Sequence, residues 1–266
     1  MNRDDDDILS MLAASAGAEA PPKRSKPVDS GRPKIRFDAA PQTPPPPPQP
    51  ASPAYPDIPA SVQTGPTSPA KRAMDIGLAG LMIGILWPIF ALAALLIKLE
   101  SPGPVLIKQD RIGLNGKGFR FLKFRTMHHD RAGSDIAERL PTGDLMHRLL
   151  SPRGRPKDAT AIGWSLRKTT VDELPQLLNV VKGDMSLVGP RPDIPEIVAA
   201  WPPEFRQRHQ VKPGMTGLAQ VNGRSDLTHY EKVKYDLRYV ANHPITLDLK
   251  ILLKTIGLVI SKKGAR

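Results

Sequence analysis

From Ile76 to Ile97 the chain carries 22 residues without a formal charge, mostly Leu, Ile, Ala and Gly, bounded by Asp75 and Lys98. As a helix at about 1.5 Å per residue this run reaches roughly 33 Å, close to the hydrocarbon thickness of a bilayer. A buried core helix of a soluble protein has the same composition. Pro88 lies near the middle, where it removes a backbone donor and crowds the carbonyl of Gly84, so a bend is expected. Lys71 and Arg72 precede the run and Lys98, Lys108 and Arg111 follow it, so the positive-inside rule draws both ends to the cytoplasmic face. A re-entrant helix broken at Pro88 satisfies both ends; a kinked single pass is the alternative.

The second apolar stretch, Leu247 to Ile260, is interrupted by Asp248, Lys250 and Lys254 at helical spacing and followed by Lys262 and Lys263. It is amphipathic, and suits either an interfacial membrane helix or the cover of a soluble core. Val105 to Ile112 and Phe119 to Arg125 are apolar-rich runs flanking Asn115-Gly116-Lys117-Gly118, which reads as a β-hairpin. The rest reads as mainly helical, with a loop or helical excursion within residues 128 to 160. The expected fold is therefore α+β, mainly helical with a small β-hairpin, an N-terminal re-entrant membrane helix and interfacial amphipathic helices.

Composition divides the chain further. Residues 1 to 70 hold 16 of the 30 prolines, including Pro44 to Pro48, with almost no apolar periodicity, so they are expected to be a disordered Pro-rich tail. That leaves 71–100 for the membrane helix and 101–266 for a catalytic domain. Residues 71–266 hold 31 basic against 18 acidic side chains, a balance that favours anionic partners without choosing among nucleic acid, phospholipid and phosphorylated substrates. There are no cysteines, which excludes disulfides and thiolate metal sites. Arg3 followed by Asp4 to Asp7 lacks the apolar core of an export signal, so the catalytic part is expected to stay on the cytoplasmic side.

The chemistry concentrates in Leu166 to Pro192, LRKTTVDELPQLLNVVKGDMSLVGPRP. Locally, Asp172 reads as a helix N-cap, Pro175 as a first-turn residue and Gly183 as the stop after Lys182. The company points elsewhere: Arg167, Lys168, adjacent carboxylates Asp172 and Glu173, then Arg191 between two prolines. Phosphoryl transfer calls for a nucleophile or base, a carboxylate-held divalent cation, and rigid cations for shifting negative charge. Arginine suits the last task because its planar fork grips phosphate at two points.

This string, with SPGPVLIKQDRIG from Ser101, KFRTM from Lys123 and VKPGMTGLAQVNGR from Val211, closely resembles the bacterial sugar transferase family, the monotopic polyprenyl-phosphate phosphoglycosyl transferases of exopolysaccharide synthesis. The resemblance spans residues 70 to 262. It implies that Asp172 attacks a UDP-sugar, releasing UMP and leaving a phosphosugar that undecaprenyl or another polyprenyl phosphate collects. By the same resemblance Glu173 holds Mg²⁺ and Lys123, Arg125, Arg167 and Arg191 line the anionic pocket. It also implies a re-entrant helix in the bacterial inner membrane with the catalytic domain on the cytoplasmic face. Family members often carry a small polar residue before the helix-breaking proline; here it is Trp87. The hexose remains open among galactose, glucose and N-acetylated sugars, as do a homo-oligomer and polysaccharide-assembly partners for the tail.

Three other classes fit less of the chain. KGFRFLKF, Lys117 to Phe124, nearly matches an RNA-recognition strand, but its upstream neighbour is the uncharged run rather than a companion strand and helix, so no nucleic-acid partner is expected. An inactive membrane scaffold leaves the paired carboxylates and the PRP turn without a purpose. A conventional metal-dependent glycosyltransferase would be expected to show an Asp-x-Asp pair, and none occurs outside the acidic N-terminal run.

Overall fold

The longest element opens where a capping residue meets the apolar run. In the computed structural model, which describes residues 61–64, 67–128, 154–223 and 226–261, Ser68 Oγ accepts from Ala70 N at 3.2 Å and Pro69 occupies the first turn of α1 (Pro69–Glu100). The helix is unbroken through Pro88. It is long and apolar enough to cross a membrane, and only 11% of its most apolar 18-residue window is buried. Leu81, Ile85 and Trp87 are each more than half exposed, which removes the soluble-core alternative. Its two ends are anchored to the same globular part. Lys71, Asp75 and Ala79 are buried near the start, while Ala93 and Ile97 pack with Phe124 and Leu166 near the end.

The expected hairpin forms. Strands β1 (Leu106–Ile112) and β2 (Gly118–Phe124) pair antiparallel, from Leu106 opposite Phe124 to Ile112 opposite Gly118. The connection turns through Asn115 and Gly116, both at positive φ. This register sets Arg111 and Lys123 on one face, because Arg111 faces Phe119 and Lys123 faces Ile107.

After α2 (Ala161–Lys168), capped by Thr160 Oγ1 accepting from Gly163 N, a 3₁₀ turn spans Val171–Glu173 and leads into α3 (Gln176–Lys182). Gly183 stops α3 in the left-handed region, its N–H returning to Asn179 and Val180 carbonyls, as expected. The expected N-cap does not form: Pro175 stands at that position, with no side-chain cap. Asn179 then ties α3 to the hairpin, donating to Arg120 O at 2.7 Å and accepting from Leu122 N at 3.0 Å.

A second, parallel pair, β3 (Ser186–Val188) with β4 (Gly214–Thr216), has no counterpart in the sequence reading. The two backbones approach so closely past its end that a Cβ on Gly214 would overlap the backbone of Gly189. The short α4 (Pro195–Ala199), a 3₁₀ segment Pro203–Gln210 and α5 (Leu218–Val221) complete the middle of the chain. Then α6 (His229–Ala241) opens on a full capping box between Thr228 and Glu231, and α7 (Ile245–Ser261) closes the described chain.

The core joins Leu177, Val180 and Met185 to Trp201, Phe205, Val233, Tyr239 and Ile251. Val62 is part of it as well. In α7, Lys250 and Lys254 are exposed but Asp248 is wholly buried, and the outward face carries Leu249, Leu253, Ile256 and Val259. The polar face expected there is thus split between core and surface. Residues 1–60 of the tail, 129–153 of the expected excursion, Arg224, Lys262 and Lys263 lie outside the described residues.

Candidate active site

The paired carboxylates sit on a strained turn. Thr170, which starts the 3₁₀ turn, has φ 60° and ψ 12°, the left-handed region that a β-branched residue rarely adopts. Such a conformation costs on the order of 1 kcal/mol and persists only where neighbouring structure over-determines it. Hydrogen bonds from Glu173 N to Thr170 O at 3.2 Å and from Leu174 N to Val171 O at 3.1 Å close the turn.

Its two acids are treated differently. Glu173 is gripped by a bidentate fork: Arg191 Nη2 donates to Oε1 at 2.5 Å and Nη1 to Oε2 at 3.1 Å. That carboxylate holds the Arg191 guanidinium firmly in its charged form. Asp172, in contrast, has no hydrogen bond or ion pair among the described residues. Burial, and then the charge of Glu173, push its carboxyl up to about 7, against the opposing pull of Lys123, Arg167 and Arg191. One acid is locked and the other is free, and the free one titrates near neutrality.

Arg191 owes its position to its backbone. Four consecutive carbonyls, Pro190 to Asp193, accept from Gly214 N (2.9 Å), Arg208 Nη2 (2.7 Å), Arg111 Nη1 (3.0 Å) and Ile112 N (3.0 Å). Arg208 is itself buried, and binds Asp193 at 2.7 Å and Asp236 at 2.6 Å. The PRP turn is therefore fixed from the hairpin, from β4 and from the 3₁₀ segment at once.

Of the basic residues expected at the site, Lys123, Arg167 and Arg191 act together on Asp172. Burial, and then the nearby charge of Arg111, lower Lys123 to about 8. Arg125 is placed at the end of α1. It is buried, and donates to Pro102 O (2.6 Å), Ile97 O (3.2 Å) and both Ser101 oxygens, satisfying carbonyls at the end of α1. Its guanidinium serves the helix end. The sequence reading missed Arg111 and Arg208 as site residues. The hairpin alternation could have supplied Arg111, which shares a face with Lys123; nothing in the local pattern around Arg208 distinguishes it from a surface cation.

Residues 66–262 match the profile described as bacterial sugar transferase. The chain belongs to the bacterial sugar transferase family. It is 41% identical over 203 residues to a UDP-glucose:undecaprenyl-phosphate glucose-1-phosphate transferase of Caulobacter vibrioides, covering 73% of this chain and 71% of the relative. An undecaprenyl-phosphate glucose phosphotransferase of Komagataeibacter xylinus is 40% identical over 208 residues, covering 73% of this chain. An Aeromonas hydrophila UDP-N-acetylgalactosamine-undecaprenyl-phosphate N-acetylgalactosaminephosphotransferase is 38% identical over 205 residues, covering 74% of this chain. The matches span 36% and 45% of these last two relatives.

In this sugar transferase no group of three or more His, Cys, Asp or Glu side chains able to hold a metal occurs among the described residues. The adjacent pair of carboxylates nevertheless suits Mg²⁺, which keeps several waters and takes one or two carboxylates together with substrate phosphates. Glu173 could offer only the lone pairs that the Arg191 fork leaves outward; Asp172 offers a whole carboxylate.

Proposed function

We propose that the chain transfers a hexose 1-phosphate from a UDP-sugar to undecaprenyl or another polyprenyl phosphate, at the first membrane step of exopolysaccharide or related glycan synthesis. The observation that carries this reading is the free carboxylate of Asp172, unpaired yet ringed by Lys123, Arg167 and Arg191. The activity in the name of the Caulobacter relative supports it.

In the first step an Asp172 oxygen bonds to the phosphorus that bears the sugar, and the bond from that phosphorus to the bridging oxygen breaks. UMP leaves with the bridging oxygen and the electron pair, and an aspartyl phosphosugar remains. In the second step an oxygen of the polyprenyl phosphate attacks that phosphorus and returns Asp172 as a carboxylate. Lys123, Arg167 and Arg191 offset the negative charge that shifts between phosphoryl oxygens. Mg²⁺, held by Glu173 or Asp172 with the donor's diphosphate, would supply Lewis-acid neutralisation.

The test is to incubate the reconstituted protein with a panel of UDP-sugars and Mg²⁺, with and without polyprenyl phosphate, and to record UMP and intact mass. A phosphosugar-sized gain discharged by polyprenyl phosphate is expected. UDP release instead would mean transfer of the sugar without its phosphate and would overturn the reading.

Glu173→Gln and Arg191→Lys should each lower turnover by about 10²–10³-fold, since either dissolves the fork that presents the guanidinium. Steady-state rates measured with and without a chelator separate the metal from the fork. Unchanged rates in chelator would remove Mg²⁺ from the mechanism.

We also infer that α1 enters and leaves the bilayer by the cytoplasmic face of the inner membrane. Support comes from the docking of both its ends on one globular part and from basic residues at both flanks. Because the chain has no cysteine, single cysteines placed at Thr67 and Pro104 can be labelled in intact spheroplasts and in inverted vesicles. Both should react from the cytoplasmic side alone; opposite sidedness would mean a single pass.

A further inference from the structure

Away from Asp172, at the foot of α1, a concavity of about 220 Å³ is lined by Lys71, Arg72, Asp75, Lys212, Tyr239 and His243, among others. Its carboxylate is already committed: Asp75 Oδ1 accepts from Ser186 Oγ at 3.1 Å and from Leu187 N at 3.0 Å. Lys71 is likewise neutralised, by Asp248 at 2.7 Å. Arg72 donates to the carbonyls of Val180 (2.6 Å) and Val181 (2.9 Å), which carry no formal charge. Lys212 has no hydrogen bond or ion pair among the described residues.

Arg72 and Lys212 converge, and the Asp75 and Asp184 carboxylates also act on Lys212. A Cβ built on Gly183 would lie 3.3 Å from Arg72 Nη2 and 3.7 Å from Lys212 Nζ, so the two nitrogens are no farther apart than the sum of those distances. Like charges this close repel unless an anion lies between them. Burial, and then Arg72, hold the Lys212 ammonium below its ordinary range, which an anion would reverse.

We propose that this concavity binds the phosphate of an anionic phospholipid headgroup between Arg72 and Lys212. The level of the site favours a lipid over a free phosphate. The uncharged run of α1 begins at Ile76, four residues after Arg72, and α7, which follows the lining residue His243, turns Leu249 and Leu253 outward. A headgroup seated here can lay its acyl chains along exposed apolar surface. Basic pockets at the cytoplasmic level recognise lipid headgroups in this way. The site rests on the reading that α1 enters the bilayer.

The test uses the full chain in neutral detergent, following its thermal midpoint against dihexanoyl-phosphatidylglycerol, dihexanoyl-phosphatidylcholine or inorganic phosphate. The wild type should show a saturable rise with phosphatidylglycerol and little with phosphatidylcholine. Lys212→Gln should keep its lipid-free midpoint and need at least about fivefold more phosphatidylglycerol for half the rise. An unchanged requirement in that variant overturns the site, as does an equal response to both lipids. A rise reproduced in full by phosphate alone overturns the lipid as occupant. Flotation of both proteins on phosphatidylcholine vesicles reports separately on the membrane reading. If both float and the phosphatidylglycerol effect is missing, only the headgroup site fails; if neither floats, the membrane reading fails.

Discussion

Asparagine in place of Asp172 is expected to lower turnover by about 10³-fold or more, abolish the phosphosugar adduct, and at the same time stabilise the protein at pH 8. The activity loss follows from the chemistry, because an amide cannot form the acyl phosphate that the two-step route requires. The gain in stability follows from the position. Burial and Glu173 raise the Asp172 carboxyl from 3.8 to about 7, so the folded protein holds that proton more tightly than the unfolded chain. A raised carboxyl contributes stability that is complete below about pH 4 and drains away as the pH climbs to about 7. Asparagine cannot ionise and keeps that contribution. Three pH units correspond to an upper limit of about 4 kcal/mol, and about 2–4 kcal/mol is expected between variant and wild type at pH 8. At pH 4 the two should unfold alike. Thermal melts at both pH values check this, and an equal difference at both would mean that Asp172 is not a destabilised acid. The same values shape the rate. kcat/KM should rise through about pH 7 as Asp172 ionises and fall above about 8 as Lys123 loses its proton.

Much of this arrangement is legible in the sequence. The hairpin declared itself through apolar-rich runs flanking Asn115-Gly116-Lys117-Gly118, and Gly183 declared the end of α3. These are local signals, and local rules decide them. The pair β3–β4 escaped because each strand has three residues and its partner lies 28 positions away, from Ser186 to Gly214, with no turn to announce the pairing. Lys123 and Arg125 would share a face in a continuing strand, yet β2 ends at Phe124 and the next side chain turns to the carbonyls of α1. Asp172 as an N-cap was a sound local expectation that the 3₁₀ turn overrode. The strained Thr170 leaves the carboxylate facing cations instead of helix amides. Arg208 and Asp248 stayed hidden for another reason. A charge is placed in a core only when distant partners neutralise it, and Asp193, Asp236, Lys71 and Tyr239 come from other elements.

That dependence on distant partners makes Lys71→Met the most damaging change expected outside the reaction centre. Lys71 joins the first turn of α1 to Asp248 in α7 at 2.7 Å, with the carboxylate wholly buried and the ammonium nearly so. Removing one member of a buried pair typically destabilises by about 3–5 kcal/mol, because the other charge is left without compensation. Here Asp248 would keep the Tyr239 hydroxyl, at 2.7 Å. Lys71→Met with Asp248→Leu should recover most of the loss, since two apolar side chains replace both charges at once. Turnover need not recover with it. Lys71 Nζ and Tyr239 Oη both donate to Val188 O, at 3.3 and 3.1 Å, at the end of β3, three residues before Arg191. The pair therefore fastens the foot of α1 to the strand that delivers the arginine fork. A double variant that melts like the wild type yet turns over more slowly would show that this fastening sets the geometry at Glu173. Full recovery of both would reduce the pair to a structural bond.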